Sequence, residues 1–180
     1  MERTNNKIRW ITRTAVLTAM LVAVQWATAG TQAFAGQYIT GSLVNCVLVM
    51  AAMFAGFWNG IAVALLSPLC AFLLGIGPVL IQLVPCIALG NCVYVALLWA
   101  LTKNWKLWKG ALGVAVAATA KFLTLYVAVV KVLIPVMGEA LKAPQVQRFT
   151  AMFSIPQLIT ALAGGTLALL ISPLVRKAIQ

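Results

Sequence analysis

Lys121 is the residue of this sequence best suited to chemistry, because its amine lies in the middle of an apolar run, "AATAKFLTLYVAVVKVLIP". A charge buried in hydrocarbon is costly unless it is paired. No Asp or Glu lies in any apolar segment, and Glu139 lies too far beyond this run to reach Lys121. A charged Lys121 therefore needs amide oxygens, trapped water or a ligand with an anionic or carbonyl group; an uncharged amine is the alternative. Lys131 lies nearer the end of the run, where its stem can extend to an interface.

Amide side chains are the other polar groups of the apolar segments. Each costs free energy in hydrocarbon unless it is hydrogen-bonded, so we expect them to converge on a shared interior. Gln157 follows Pro156 at the start of a segment, and a polar helix cap is its alternative role. Tyr38 lies in the neighbouring polar link "GTQAFAGQYITG" and is a further candidate. The candidate binding residues are Lys121, Asn91, Gln157, Gln82, Asn45, Gln25 and Tyr38.

The composition is that of an integral membrane protein. Of 180 residues, 63% are hydrophobic and 8% are charged, and the mean hydropathy is +1.03. The net charge of +11 would suggest nucleic-acid binding in a soluble protein, but the apolar runs leave no basic face for a duplex. The N-terminal "MERTNNKIRWITRTAVLTAMLVAVQWATAG" has the basic head of a signal peptide. Its apolar part is long enough to span a membrane, so we interpret it as the first helix.

Metal and catalytic chemistry find little support in the sequence. There is no histidine, and the four cysteines form no CxxC pair and lie in apolar segments, where they are typical of small buried hydrophobic residues. We predict no metal site, no disulfide and no catalytic residue. An intramembrane enzyme would need a serine or cysteine activated by Lys121, and no spacing supports that pair.

The apolar segments predict an all-α fold, a polytopic bundle of six transmembrane helices in a single domain over residues 1–180. The second and third helices are short for a full crossing, which indicates tilt or a helix that stops at a cavity. Short links such as "WNG" and "GIGP" join helices two to four. The expected helices cover residues 8–29, 42–58, 60–74, 79–101, 111–135 and 155–175.

Basic residues set the orientation, because cytoplasmic links are enriched in Lys and Arg. With six spans both termini are cytoplasmic, and the opposite side shows only Lys142 and Arg148. Nine basic residues fall on the cytoplasmic side: Arg3, Lys7, Arg9, Arg13, Lys103, Lys106, Lys109, Arg176 and Lys177. Five tryptophans mark the same boundary: Trp10, Trp58, Trp99, Trp105 and Trp108.

This orientation places every intramembrane amide and Lys121 in the outer half of the bundle. We therefore predict an outward-facing pocket with its floor near Asn91 and Lys121, since a channel would need polar lining on both sides. The external links 30–41 and 136–154 are long enough to cover such a site. Gly164 and Gly165 in the last helix are expected to permit close helix packing.

Ala15, Ala19 and Ala23 recur at i, i+4 and i+8 on helix one, a stripe that suits packing against another helix in this chain or in a partner. The sequence combines six spans with this stripe, a covering first link "GTQAFAGQYITG", a "PCIALGN" stretch and "PQLITALAGG". In this combination the chain resembles the S components of energy-coupling factor (ECF) transporters, which bind vitamins and related micronutrients in prokaryotes. The resemblance implies capture of a substrate from outside at the cell membrane. The loaded subunit then docks through the alanine stripe on a membrane T component carrying two ABC-type ATPases, and topples to face the cytoplasm.

The resemblance also limits the chemistry. The chain has no P-loop, so no cofactor is expected in it and ATP is used by the partner ATPases. Nickel or cobalt is disfavoured because no N-terminal histidine is present, and the mid-depth Asn and Lys are similar to the riboflavin, pantothenate and folate branch. Two other classes stay open: a stand-alone secondary carrier, although intramembrane carboxylates are lacking, and a non-transport membrane adaptor using the alanine stripe.

Overall fold

A computed structural model describes residues 2–29, 34–102 and 107–179, and within these ranges every regular element is helical. Two π-helical stretches, Ala51–Ala55 and Tyr126–Leu133, continue the second and fifth helices, and a 3₁₀ turn spans Gly138–Ala140. The α-helices are α1 (Glu2–Thr28), α2 (Phe34–Met50), α3 (Phe57–Leu73), α4 (Leu83–Thr102), α5 (Leu107–Leu125), α6 (Ile134–Met137), α7 (Ala143–Met152) and α8 (Ile155–Ile179).

The all-α membrane bundle predicted from composition is confirmed. Five helical segments are long and apolar enough to cross a membrane, and α3 is a shorter apolar helix that completes the set of six. Large apolar side chains face outward along the bundle, as expected where lipid replaces water as the solvent; Trp26 is 72% exposed and Leu170 71%. The interior of the bundle holds other apolar residues together with several polar ones, including Asn45, Asn91 and Lys121.

The second helix begins much earlier than predicted, at Phe34 rather than Ser42, so the expectation that residues 34–41 form an external loop and that this helix is short was wrong. The polar residues that suggested a solvated link face a cavity between helices: Gln37 and Thr40 line it. A helix can carry such residues in a membrane when they face a polar interior. Residues 30–33 of the predicted loop lie outside the described residues.

The break between α2 and α3 lies at Gly56, not at the predicted link "WNG". Gly56 has φ of +92°, in the left-handed region that favours glycine, and α3 then begins at Phe57 instead of Gly60. Asn59, expected in the link, is buried within α3, where its Nδ2 donates to the carbonyl of Trp10 and the hydroxyl of Thr14 on α1. The polar residue therefore joins two helices rather than making a turn.

The fourth helix starts later than predicted, at Leu83 rather than Val79, because Gly75, with φ of +69°, and Pro78 shape a longer non-helical link. The predicted second external link is largely helical, since α6, the 3₁₀ turn and α7 lie within residues 134–152. Lys103, Trp105 and Lys106, used in the orientation argument, lie outside the described residues. The side chains of Arg3 and Trp108 do so as well.

The end of the bundle that holds the N-terminus of α1 and Arg176 and Lys177 of α8 is called the basic end below. Between the cavity and this end, the helices enclose an apolar core. Gly164 and Gly165 let α8 approach α2 and α5, since a side chain at either position would overlap Ser42 or Val114, which agrees with their predicted role in packing. Fully buried members of the core include Leu21, Leu48, Val49, Val63, Val95, Leu98, Ala117 and Ala118.

A second, smaller apolar cluster lies at the end of the bundle opposite the basic end. It joins Leu83 at the start of α4, Leu125 and Val129 along α5 and its π-helical continuation, and Phe149 and Phe153 from α7 and the residues after it. This cluster packs α7 over the bundle. The amphipathic helix thereby forms a roof over the region where the polar side chains gather.

Candidate functional site

A cavity of about 720 Å³ lies between the helices at the end opposite the basic end. That volume is typical of sites for small organic molecules, roughly 300–1,000 Å³. Its floor is formed by three polar residues from different helices, Asn45 on α2, Asn91 on α4 and Lys121 on α5. Beyond this floor, toward the basic end, the apolar core fills the bundle. The cavity is therefore a pocket that ends inside the bundle.

Lys121 is the centre of the floor and is only 3% exposed. Its Nζ donates a hydrogen bond of 2.5 Å to Asn45 Oδ1 and one of 2.7 Å to Asn91 Oδ1. Both distances are in the range of charge-assisted bonds or shorter. Two of the predicted site residues thus serve as the amide partners that the sequence required for this buried amine.

The amide of Asn45 is oriented by a directed chain of hydrogen bonds. Thr160 on α8 donates its hydroxyl proton to the carbonyl of Gln157 at 3.2 Å, so its oxygen is free to accept. Asn45 Nδ2 donates to that oxygen at 3.4 Å. Since one end of the amide is engaged as a donor, Oδ1 must face Lys121. Through Thr160, α8 therefore fixes the orientation of the Asn45 amide on α2, whose oxygen meets Lys121 on α5.

An aromatic ring completes the surroundings of the lysine. The centroid of Tyr94 lies 5.2 Å from Lys121 Nζ, within reach of a cation–π interaction. The ring is held in place because the Tyr94 hydroxyl donates to the carbonyl of Ala161 at 2.7 Å. Asn45, Asn91 and Tyr94, which surround the amine in the described part of the chain, contain no acidic group.

Two glutamines link the wall of the cavity to its roof. Gln37 Nε2 on α2 and Gln157 Nε2 on α8 both donate to the carbonyl of Met152, the last residue of α7, at 3.2 and 3.1 Å. Thr40 on α2 donates to the Thr28 hydroxyl on α1 at 2.7 Å. These bonds connect the roof to α2 and α8, and α1 to α2.

The remaining predicted binding residues separate into two groups. Gln25 and Gln157 line the cavity with Asn45, Asn91 and Lys121. Gln82 is exposed just before α4, and neither it nor Tyr38 is among the cavity-lining residues. Contact between substrate and any of the seven stays a prediction.

Sequence reasoning missed several lining residues. Thr160 lies one helical turn after Gln157, so helical periodicity alone would have placed both on one face of α8. Ser67 and Pro68 line the cavity from α3, where the proline removes one backbone donor from the helix. Arg148 on α7 also lines the cavity, although the sequence indicated it only as a basic residue of the external side.

The alanine stripe of α1 is on the outside of the bundle. Ala15, Ala19 and Ala23 are all exposed, whereas Leu21 of the same helix is fully buried. α1 packs on α2 and α3 with its other face. The stripe is therefore available to a partner helix, while the end of the same helix lines the cavity through Gln25.

Lys131 differs from Lys121 although both belong to the α5 segment. It is exposed, and its Nζ lies 5.7 Å from the centroid of the Tyr126 ring. It is not among the residues that line the cavity. That Lys131 extends to the membrane interface stays a prediction, and its exposure makes it a suitable control for Lys121.

These features define a multi-pass membrane protein of helical class, with a pocket of solute size reaching a buried lysine. A family model described as "ECF transporter, substrate-specific component" matches residues 9–176. The chain belongs to this family, as the sequence resemblance predicted, and is a transporter component. Comparisons with curated proteins and with solved structures gave no significant match.

Proposed function

We propose that this chain is the substrate-binding S component of an ECF-type importer in the cell membrane of a prokaryote. It captures a water-soluble vitamin or related micronutrient from outside the cell. The observation that carries the proposal is the pocket that reaches Lys121 and ends there, in a chain matched by the family model over residues 9–176. A blind pocket suits capture followed by delivery, because a solute bound in it has no path through the bundle.

The direction of capture follows from charge. The basic end carries Lys7, Arg9, Arg13, Arg176 and Lys177, and it is cytoplasmic by the positive-inside rule. The pocket lies at the other end, so it opens to the exterior. α7 and the residues after it cover it from outside, with Gln37 and Gln157 holding the Met152 carbonyl.

Delivery requires partners. The exposed Ala15, Ala19 and Ala23 offer a flat face on which a helix of the T component can approach closely. Two ABC-type ATPases bound to that component supply the energy, and this chain contributes no catalysis. α1 carries both the docking face and Gln25 of the pocket, so the substrate and the T component meet the same helix.

Co-purification with the T component and the ATPases of the same organism tests docking. We expect Ala19→Trp to abolish the complex, because the indole would hold the partner helix away from α1. Leu170→Trp is the matched control, since Leu170 is also exposed to lipid but lies on α8. Loss of the complex in both variants, or in neither, would contradict docking through this stripe.

Uptake by proteoliposomes tests the transport role. Vitamin uptake should require the T component, the ATPases and ATP together, and it should cease in the Ala19→Trp variant. Uptake by the chain alone would instead favour a secondary carrier. Absence of both uptake and ligand-induced stabilisation would favour an adaptor.

A further inference from the structure

We infer that the substrate is a small organic anion, whose acidic group binds against Lys121. This inference rests on the proposed function, because it assigns a chemical class to the solute that the pocket captures. It follows from two features of the cavity: its charge and the hydrogen-bond donors of its floor.

The charge of the cavity is positive. Lys121 and Arg148 are the charged side chains among the described residues that line it, and no acidic residue lines it. The chain has two acids in all, and residues 3–138 contain none. A buried ammonium ion is stabilised when a counter-charge is brought to it, and its neutral neighbours supply only dipoles. An anion completes this site, whereas a cation would be repelled from it.

The donors of the floor match an acidic group. An ammonium group has three N–H donors, and Lys121 uses two of them on Asn45 and Asn91. In the described part of the chain, no third acceptor lies within hydrogen-bond distance of this amine. Asn91 Nδ2 likewise has no partner there, although its oxygen is engaged. Two adjacent donors, one of them charged, suit the two oxygens of a carboxylate or the oxygens of a phosphate.

The amide of Asn45 strengthens this assignment. One N–H of its Nδ2 is donated to Thr160 and its Oδ1 accepts from Lys121, so the group it still offers a ligand is its second N–H. Since both amide oxygens of the floor are used by the lysine, the floor has donors to offer and few acceptors. A ligand group that only accepts hydrogen bonds therefore fits best at this depth.

The first test separates solutes by charge and needs no variant. Water-soluble solutes of yeast extract are divided on a strong anion exchanger at neutral pH, and each fraction is added to the purified protein during a thermal-unfolding scan. We expect the retained, anionic fraction to raise the unfolding temperature, because a ligand that binds only the folded state stabilises it. Mass spectrometry of the washed complex then identifies the bound compound.

The outcomes distinguish the two proposals. Stabilisation by the neutral or cationic flow-through alone would overturn the anion assignment and leave the binding function standing. Stabilisation by neither fraction, with helical content intact by circular dichroism, would overturn both.

Variants then test the contacts with the identified compound by isothermal titration. Lys121→Met should weaken binding roughly 10- to 100-fold, the range for loss of a hydrogen bond to a charged group. Lys131→Met, an exposed lysine on the same helical segment, should leave affinity unchanged. Equal affinities for wild type and Lys121→Met would refute the placement of the acidic group.

Discussion

The hydrogen bond between Lys121 and Asn45 makes an asymmetric prediction about stability in the absence of substrate. When Lys121 is protonated, Asn45→Leu removes one of the two acceptors of its ammonium group and leaves the charge behind. Lys121→Met removes the charge itself and leaves two neutral amide oxygens. An unpaired charge costs more than an unpaired amide. Asn45→Leu should therefore destabilise the protein more than Lys121→Met does.

The magnitude follows from the bond that is lost. A hydrogen bond to a charged group contributes about 1.5–3 kcal/mol. For proteins of this length, each kcal/mol corresponds to about 2–4 °C in unfolding temperature. We therefore expect Asn45→Leu to lower the unfolding temperature by roughly 3–12 °C. The Asn45→Leu/Lys121→Met double variant should recover most of that loss, because it contains no charge to leave unpaired.

Intrinsic-fluorescence unfolding scans of the detergent-solubilised proteins would measure this cycle, since the chain contains six tryptophans. Lys131→Met, combined with Asn45→Leu, provides the control pair, because Lys131 is exposed and is not among the residues that line the cavity. That pair should be additive. If the Lys121 pair were additive as well, the two side chains would not interact and the description of the floor would be refuted.

Three further predictions concern single positions. Asn45→Asp should fold but lose binding of an anionic solute by about 1,000-fold, because like charges about 4 Å apart repel by about 4 kcal/mol near a protein surface; calorimetric affinity close to that of the wild type would contradict this. Gly56→Ala should destabilise by about 1–2 kcal/mol through backbone strain alone, since φ is +92° and no atom lies within 4 Å of the added Cβ. Tyr94→Phe should cost about 1 kcal/mol by losing its bond to the Ala161 carbonyl while the ring beside Lys121 remains; thermal scans check both.

Local patterns in the sequence were informative about the lipid-facing part of the molecule. Apolar length predicts the six helices, because each must satisfy its own backbone and match the membrane thickness. The predicted helix boundaries were wrong where polar residues cluster in the sequence. At Gln37 and Thr40 such a cluster predicted a loop, and the structure has a helix. A polar run in water and a polar run facing a cavity have the same composition. Only the neighbouring helices distinguish them.

The sequence by itself determined that the chain spans a membrane and that Lys121 needs partners within the bundle, and it predicts a cytoplasmic basic end. These conclusions follow from the cost of charge and of unpaired polar groups in hydrocarbon, which depends on residue type and depth alone. The family resemblance also came from residues visible in the sequence, and the match over residues 9–176 confirms it.

Only the tertiary structure decided which partners Lys121 has. Asn45 and Asn91 lie 76 and 30 positions away in the chain, and packing of α2, α4 and α5 brings both amide oxygens to one amine. The same packing leaves Gln82 and Tyr38 outside the cavity lining and brings Thr160 behind Asn45. Residue types can state that a buried charge must be satisfied, but the geometry of helices distant in sequence determines which groups satisfy it.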